Sequence, residues 1–417
     1  MNIVKKALEQ YKDPLYRNSY YLMANTVISS GLGFVFWTVA ARFYTESDMG
    51  LAVALISAAA MVANISNFGL STSIVRFLSK HADKRSFVNT CFTVVGLSTI
   101  VVSGVFLLGI EIWTPRLFFV RANSLFIAAF IIFTAVSSIS LLLSNTFIAY
   151  RDAKYAFIQN TLTAALKIPL PIILAPLFGV FGVFGSWGIA LTAAVLVSLL
   201  FFMRSLEPKY LPYPTINKKT IKEIFNFSIG NYIIGLTGTI PATLLPLIIL
   251  QVLSAEDSAY FFVAFAIAGI LLVVPGALST SLFAEGSFDE SMFKHNMKKA
   301  AKQAYLLLAP AIAITMVFGD KLLLLFGKTY SANGHILLSI LALSSLFAAP
   351  VLFYNTYLRI RMRILELQAI TIASAAGIIA ISYALLPTAG IVGVGYAYLA
   401  VYAALAAYSM IRFKLEK

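Results

Sequence analysis

The sequence predicts an all-α, polytopic membrane protein of about twelve transmembrane helices, arranged as two six-helix lobes in parallel repeat around a central cavity. Three observations predict it. Hydrophobic residues fill 60% of 417 positions and charged residues only 12%, at a mean hydropathy of +0.88, a composition outside the range of soluble domains. Apolar windows of the roughly 17 to 25 residues needed to cross a bilayer as a helix recur twelve times along the chain. Basic residues are concentrated in alternate connecting segments, the pattern that marks cytoplasmic loops.

The windows fall at about 19–41, 51–75, 87–110, 124–149, 155–178 and 182–203 in the first half, and at 224–252, 259–283, 300–318, 335–357, 365–386 and 391–411 in the second. Ahead of the first lies MNIVKKALEQYKDPLYRN, too polar for a secretory signal and suited to a short basic helix on the membrane surface. The first span carries Tyr21, Asn25, Ser29 and Gly33 at helical spacing, and the second Ser57, Asn64, Asn67 and Ser71. The fifth carries Asn160, Thr163, Lys167 and Pro171 on one face. Such stripes serve either close helix packing or a wet interior, and three of them favour the interior. Pro169 and Pro171 in the fifth span, and Pro241 and Pro246 in the seventh, lack the N–H that would bond the carbonyl four residues earlier. In the fifth span those carbonyls belong to Ala165 and Lys167. The ninth span is interrupted by Asp320 and Lys321 before LLLLF resumes at 322.

With the N-terminus inside, 25 of the 31 basic residues face the cytoplasm and 5 face outward, Lys167 being the remaining one. Both termini and the linker are thereby expected on the cytoplasmic side of the cell membrane. The net charge of +14 follows from this orientation and from contact with anionic inner-leaflet lipids, so nucleic acid is not an expected partner. The proline-containing connection MRSLEPKYLPYPTINKKTIKE divides the chain near its midpoint. The expected organisation is a lobe at 1–203, a cytoplasmic linker at 204–223 and a second lobe at 224–417. A faint repeat supports it: GLSTS at 69–73 returns as ALSTS at 277–281, an offset of 208 that also sets Asp48 over Glu256.

Lys167 stands about a dozen residues from either end of an uncharged run. A mid-membrane lysine costs roughly 2.5–3.5 kcal/mol even on the lenient scale. No carboxylate is assigned to the middle of a span. Two arrangements remain: a neutral amine bonded to carbonyls released by Pro169 and Pro171, or a charged amine in a wet cavity awaiting an anion. The second is favoured, with Asn160 and Thr163 on the same face. Spans one, two, seven and eight, which carry the repeat and the bends, are expected to line the route, with Asn25, Asn64 and Asn231 on it.

FWTVAARFYTESDMGLAVALISAAAMVANISNFGLSTSIVRFLSK at 36–80 resembles the first two helices of polysaccharide biosynthesis flippases, the O-antigen-type branch of the multidrug/oligosaccharidyl-lipid/polysaccharide exporter superfamily. LLLLFGKTYSANGHILLSILALS at 322–344 is similar to that family's entry into the tenth helix. TESDMG departs from the family in lacking the proline often found before its acidic pair. The resemblance implies a transporter that flips a lipid-linked oligosaccharide, head group first, from the cytoplasmic to the outer leaflet by alternating access. Its cargo would be a polyprenyl-phosphate-linked glycan. The family's cationic cavity residues are matched by Arg76 at the inner end of the second helix and, comparably placed, by Arg17 before the first; both also fit ordinary positive-inside anchors.

Other classes fit less well. A major-facilitator-like transporter of sugars or other small solutes is the alternative, its signature loop being matched only in part by RFLSKHADKRS. A multidrug antiporter would need a membrane-embedded carboxylate, and the 17 acidic residues lie in loops or near span ends. An enzyme is not expected: Asp289 and Glu290 form an isolated pair. FGKTY lacks the phosphate-loop glycine, Leu322 standing in its place, so no nucleotide is expected and a coupling ion or the membrane potential would drive transport. One cysteine, Cys91, and three scattered histidines imply no disulfide, metal or cofactor.

Overall fold

The computed structural model describes residues 14–288 and 293–415, without the side chains of a few helical stretches, residues 223–231 among them. Most of the surface helix expected ahead of the first span, and the pair Asp289 and Glu290, lie outside the described residues. The regular elements of the described chain are all helices, with no strand among the described residues. Its principal helices are α1 (Pro14–Phe43), α2 (Glu46–Ser66), α3 (Leu70–Phe77), α4 (Lys84–Leu108), α5 (Ser124–Ala149), α6 (Ala153–Leu166), α7 (Leu170–Phe178), α8 (Val180–Val197), α9 (Lys218–Val252), α10 (Ala255–Leu271), α11 (Val273–Phe288), α12 (Phe293–Leu324), α13 (Lys328–Ile360) and α14 (Ile364–Leu415).

Ten of the described helices are long and apolar enough to cross a membrane, or eleven when the bent pair α10 and α11 counts as one span. The difference from twelve lies in α14. It comprises two helices that meet at Gly390, whose φ of 56° and ψ of −151° are non-helical, between the windows read as the last two spans. The ninth span is not broken at Asp320 and Lys321, which interrupt only its apolar run: α12 continues through both to Leu324. The second window is broken instead, where Phe68 (φ 46°) and Gly69 (φ 76°) take left-handed conformations between α2 and α3. Asn67 fits that break, its Oδ1 accepting the backbone N–H of Ser71 at 3.0 Å, a local role that neither reading of the stripe included.

Contacts divide the chain into two compact units. The first comprises Met1–Phe43 and Leu55–Leu236; the second comprises Tyr44–Ala54 and Thr237–Lys417. In the first unit α1 packs on α6 and α7, while α5 packs on α3, α4, α6 and α8. Leu70, Ile74, Phe87, Cys91, Phe147 and Met203 form its core. In the second unit α13 is the central helix, against α10, α11, α12 and α14.

The proline-containing linker is docked onto the first unit. Tyr210 is fully buried and its hydroxyl donates to Asn89 Oδ1 at 2.7 Å. Asn89 Nδ2 donates to the Leu211 carbonyl at 3.0 Å, and the Thr215 N–H donates to Thr93 Oγ1 at 2.9 Å. Burial, reinforced by Tyr150 and Tyr213, pushes the Tyr210 phenol above the usual tyrosine range, so it stays a neutral donor. Glu207 ties the same region down through Arg85 at 3.3 Å and the Tyr150 hydroxyl at 3.2 Å.

The second unit contains two equivalent helix caps. Thr45 and Asp48 cap α2: the Asp48 N–H donates to Thr45 Oγ1 at 3.1 Å, and that hydroxyl donates to Asp48 Oδ2 at 2.8 Å. Ser254 and Asp257 repeat both bonds at α10, at 3.0 and 2.8 Å. Each cap supplies an acceptor for an unpaired first-turn N–H and an acidic residue for the helix dipole. The caps align Asp48 with Asp257, one residue beyond the offset read from the sequence. Gly50 lies so close to the start of α10 that a Cβ there would overlap the Ala255 carbonyl.

Candidate functional site

The candidate site is built on α1 and α6, which run side by side in the first unit. One end is fixed by Asn18: its Nδ2 donates to the Arg151 carbonyl at 2.8 Å and its Oδ1 accepts the Ala153 N–H at 2.9 Å. Next along the pair, the rings of Tyr21 and Phe157 lie 5.9 Å apart. At the far end Lys167 Nζ sits 4.9 Å from the centroid of Phe36. Both helices therefore advance in the same direction from the Asn18 end, and the polar residues Asn25, Ser29, Asn160 and Thr163 fall between the two aromatic contacts.

Lys167 occupies the C-cap of α6, where the helix yields to Pro169 and α7 begins. The Ala165 carbonyl, left without its usual donor by Pro169, accepts the Ile168 N–H at 3.2 Å. The Lys167 side chain makes no hydrogen bond to a released carbonyl and no ion pair among the described residues; its partner is the Phe36 ring. Neither arrangement expected from the sequence included that ring. A cation–π contact contributes about 0.5–2 kcal/mol, against the roughly 2.5–3.5 kcal/mol cost of a mid-membrane lysine. The ring offsets part of the cost, and an amine left otherwise unpaired is suited to receive an anion.

Its companions are placed as follows. Asn160 is half-buried and its amide has no hydrogen-bond partner among the described residues. Thr163 is half-buried and its hydroxyl donates to the Gln159 carbonyl at 3.0 Å, keeping its lone pairs available. Asn25 is half-buried and Ser29 Oγ donates to its Oδ1 at 3.4 Å. Arg17 is half-buried on the turn before Asn18. Asn64 and Arg76 belong to other helices: the Asn64 amide donates to the Ala60 carbonyl of its own helix at 2.9 Å, and Arg76 is exposed, 5.7 Å from the Phe77 ring centroid. The structure thus assembles Lys167, Asn160, Thr163 and Asn25 on one helix pair. The side chain of Asn231 lies outside the described residues.

Sequence spacing does not reveal three contacts within this unit. Phe36 reads as one more apolar residue in a span. Gln159 is fully buried, with Nε2 donating to Ser140 Oγ at 2.9 Å and Ser144 Oγ at 3.3 Å, while its Oε1 is unpaired; an amide inside a span was the available signal. The Tyr232 hydroxyl donates to the Ile65 carbonyl at 2.7 Å. Among the described residues no cluster of His, Cys, Asp or Glu is arranged to hold a metal.

The family profile described as "Polysaccharide biosynthesis protein" matches residues 15–283, a span that includes every residue of the α1 and α6 site. A comparison with curated proteins returns no match. Among solved structures, the chain is similar to a MOP-superfamily transporter from Pyrococcus furiosus described as having a binding pocket of reverse polarity, with TM-score 0.66, 15% identity and coverage of 97% and 96% of the two chains. It is also similar to an inward-facing multidrug resistance MATE family transporter of the MOP superfamily, with TM-score 0.65, 16% identity and coverage of 95% and 94%. An outward-facing MATE structure gives 0.63, 16%, 97% and 96%. At these identities the likeness is one of fold.

Proposed function

Since the chain belongs to the polysaccharide biosynthesis protein family, we propose that it exports a glycan carried on a polyprenyl phosphate, flipping it from the cytoplasmic to the outer leaflet of the cell membrane by alternating access. The observation that carries this reading is Lys167, an amine within a candidate span, held by an aromatic ring and paired with no carboxylate among the described residues. A negatively charged carrier phosphate supplies what the amine lacks, and Asn160, Thr163 and Asn25 offer neutral hydrogen bonds beside it. Arg17, on the same helix as Asn25, would attract the phosphate before it reaches Lys167, with Arg76 and Asn64 along the second window and Asn231 along the seventh. Both termini would be cytoplasmic, and an ion gradient or the membrane potential would supply the driving force.

The fold shared with MOP-superfamily transporters removes the fold-level reason for a major-facilitator-like solute carrier. A multidrug antiporter shares that fold, but a positively charged drug would be repelled by an unpaired lysine. The deciding experiment is deletion of the gene followed by analysis of lipid-linked intermediates. Accumulation of an undecaprenyl- or dolichyl-linked oligosaccharide on the cytoplasmic side, reversed by the wild-type chain, is the expected result. Normal carrier pools with altered drug resistance would favour the antiporter instead.

A further inference from the structure

The second unit contains a partly open cavity of about 260 Å³, lined by α9 around Pro241, α10, α13 and both arms of α14. No residue lining it is charged. Its polar groups are hydroxyls and one amide. Ser344, Ser345 and Thr371 donate their protons to carbonyls of their own helices, at 2.7, 3.2 and 2.8 Å, which leaves oxygen lone pairs as acceptors. Two groups have no such arrangement. Asn355 Oδ1 is buried without a hydrogen-bond partner. Tyr398, only 7% exposed, has none for its hydroxyl among the described residues. Its ring is flanked by Phe265 at 5.6 Å and Tyr402 at 6.0 Å between centroids.

Buried polar groups are nearly always paired, so the unpaired amide oxygen of Asn355 on α13, together with the unbonded phenol of Tyr398 on α14 in the same lining, points to a ligand carrying both donors and acceptors. The aromatic faces beside them require that ligand also to present C–H surface. Lack of charge disfavours an ionised ligand, which would be desolvated without compensation. The volume falls just under the range of about 300–1,000 Å³ common to small-molecule sites, room for a single ring. We infer that this cavity receives one uncharged sugar residue of the transported glycan, with Asn355 and Tyr398 bonding its hydroxyls and the Phe265, Tyr398 and Tyr402 rings covering its apolar face. The inference rests on the glycan reading of the cargo, and it adds a neutral recognition site to the anion site at Lys167.

The test uses the full-length protein purified in an amine-oxide detergent, which itself carries no sugar. Free glucose, galactose, N-acetylglucosamine, N-acetylgalactosamine and glucuronic acid are titrated to tens of millimolar while thermal unfolding and calorimetric heats are followed; inorganic pyrophosphate is titrated separately. At least one uncharged sugar should bind saturably, more tightly than glucuronic acid. Asn355→Leu and Tyr398→Phe should each weaken it by about fivefold or more, as expected for loss of one hydrogen bond, without changing pyrophosphate binding. As a check that does not depend on those variants folding, Ser374→Cys in a Cys91→Ala background should be alkylated more slowly when the sugar is present. Failure of every uncharged sugar to bind, binding unchanged by both substitutions, or alkylation unaffected by a sugar that binds would overturn the inference. Pyrophosphate binding that survives Lys167→Met would count against the anion site alone, so the two readings fail separately.

Discussion

The amine of Lys167 faces the ring of Phe36 at 4.9 Å, which pairs the C-cap of α6 with the last third of α1. A lysine in a span is thereby held by an uncharged surface that leaves its N–H groups to be claimed by something else. In a flippase for phosphate-linked cargo, that something is the cargo.

Lys167→Ala is expected to reduce export by at least about tenfold, the effect of losing one charge-assisted bond, with protein abundance unchanged. Lys167→Arg should retain part of the activity. Surface polysaccharide and cytoplasmic carrier-linked oligosaccharide, measured together, give the answer, and normal export by Lys167→Met would place the anion site elsewhere.

Phe36 acts on the lysine through its face, so Phe36→Leu should lower export several-fold and Phe36→Trp should preserve it, because the indole face is the better cation partner. Equal activity in the two variants would mean that Phe36 only fills space. The same export measurement reads both.

Cysteine introduced at Asn25, Asn64 or Asn231 should react with a small water-soluble maleimide. The background is Cys91→Ala, since the native thiol is fully buried and its replacement deletes only a small volume. Protection of all three positions in a normally expressed protein would indicate packed helices.

Tyr210→Phe removes the donor that pairs with Asn89 Oδ1 and should cost about 1–3 kcal/mol, the penalty for a buried acceptor left unsatisfied. The thermal unfolding midpoint of the purified protein should fall, with export little changed. An unaltered midpoint would show that water replaces the phenol.

Reporter fusions after Lys222 and at the C-terminus should give cytoplasmic signals, as the 25 to 5 division of basic residues requires. An external signal from either would reverse the orientation of the transport cycle.

Much of this was legible in the sequence because hydropathy and proline act locally. The helical class, most window positions and the break after Leu166 follow from runs of apolar residues and from Pro169. Gly390 lies between the two windows read as the last spans, and its non-helical conformation separates two helices there, as those windows indicated. At the site, the spacing of Asn160, Thr163 and Lys167 gave their shared face, but spacing within one helix is silent on partners from another. For that reason Phe36 and Tyr398 were invisible, each defined by what a distant segment brings to it, whereas Gln159, an amide inside a span, showed its presence but not its partners. Asn67 shows the converse, a polar stripe residue that satisfies the backbone of a helix break.

The docked linker bears on how the protein could be divided. A fragment ending at Met203 would leave Asn89 and Thr93 without their partners and open the pocket that Tyr210 fills, whereas one ending after Asn217 keeps every bond of that patch. Split-gene complementation, or a protease site inserted to sever the halves, should therefore be placed beyond Asn217, with the three prolines travelling with the N-terminal piece.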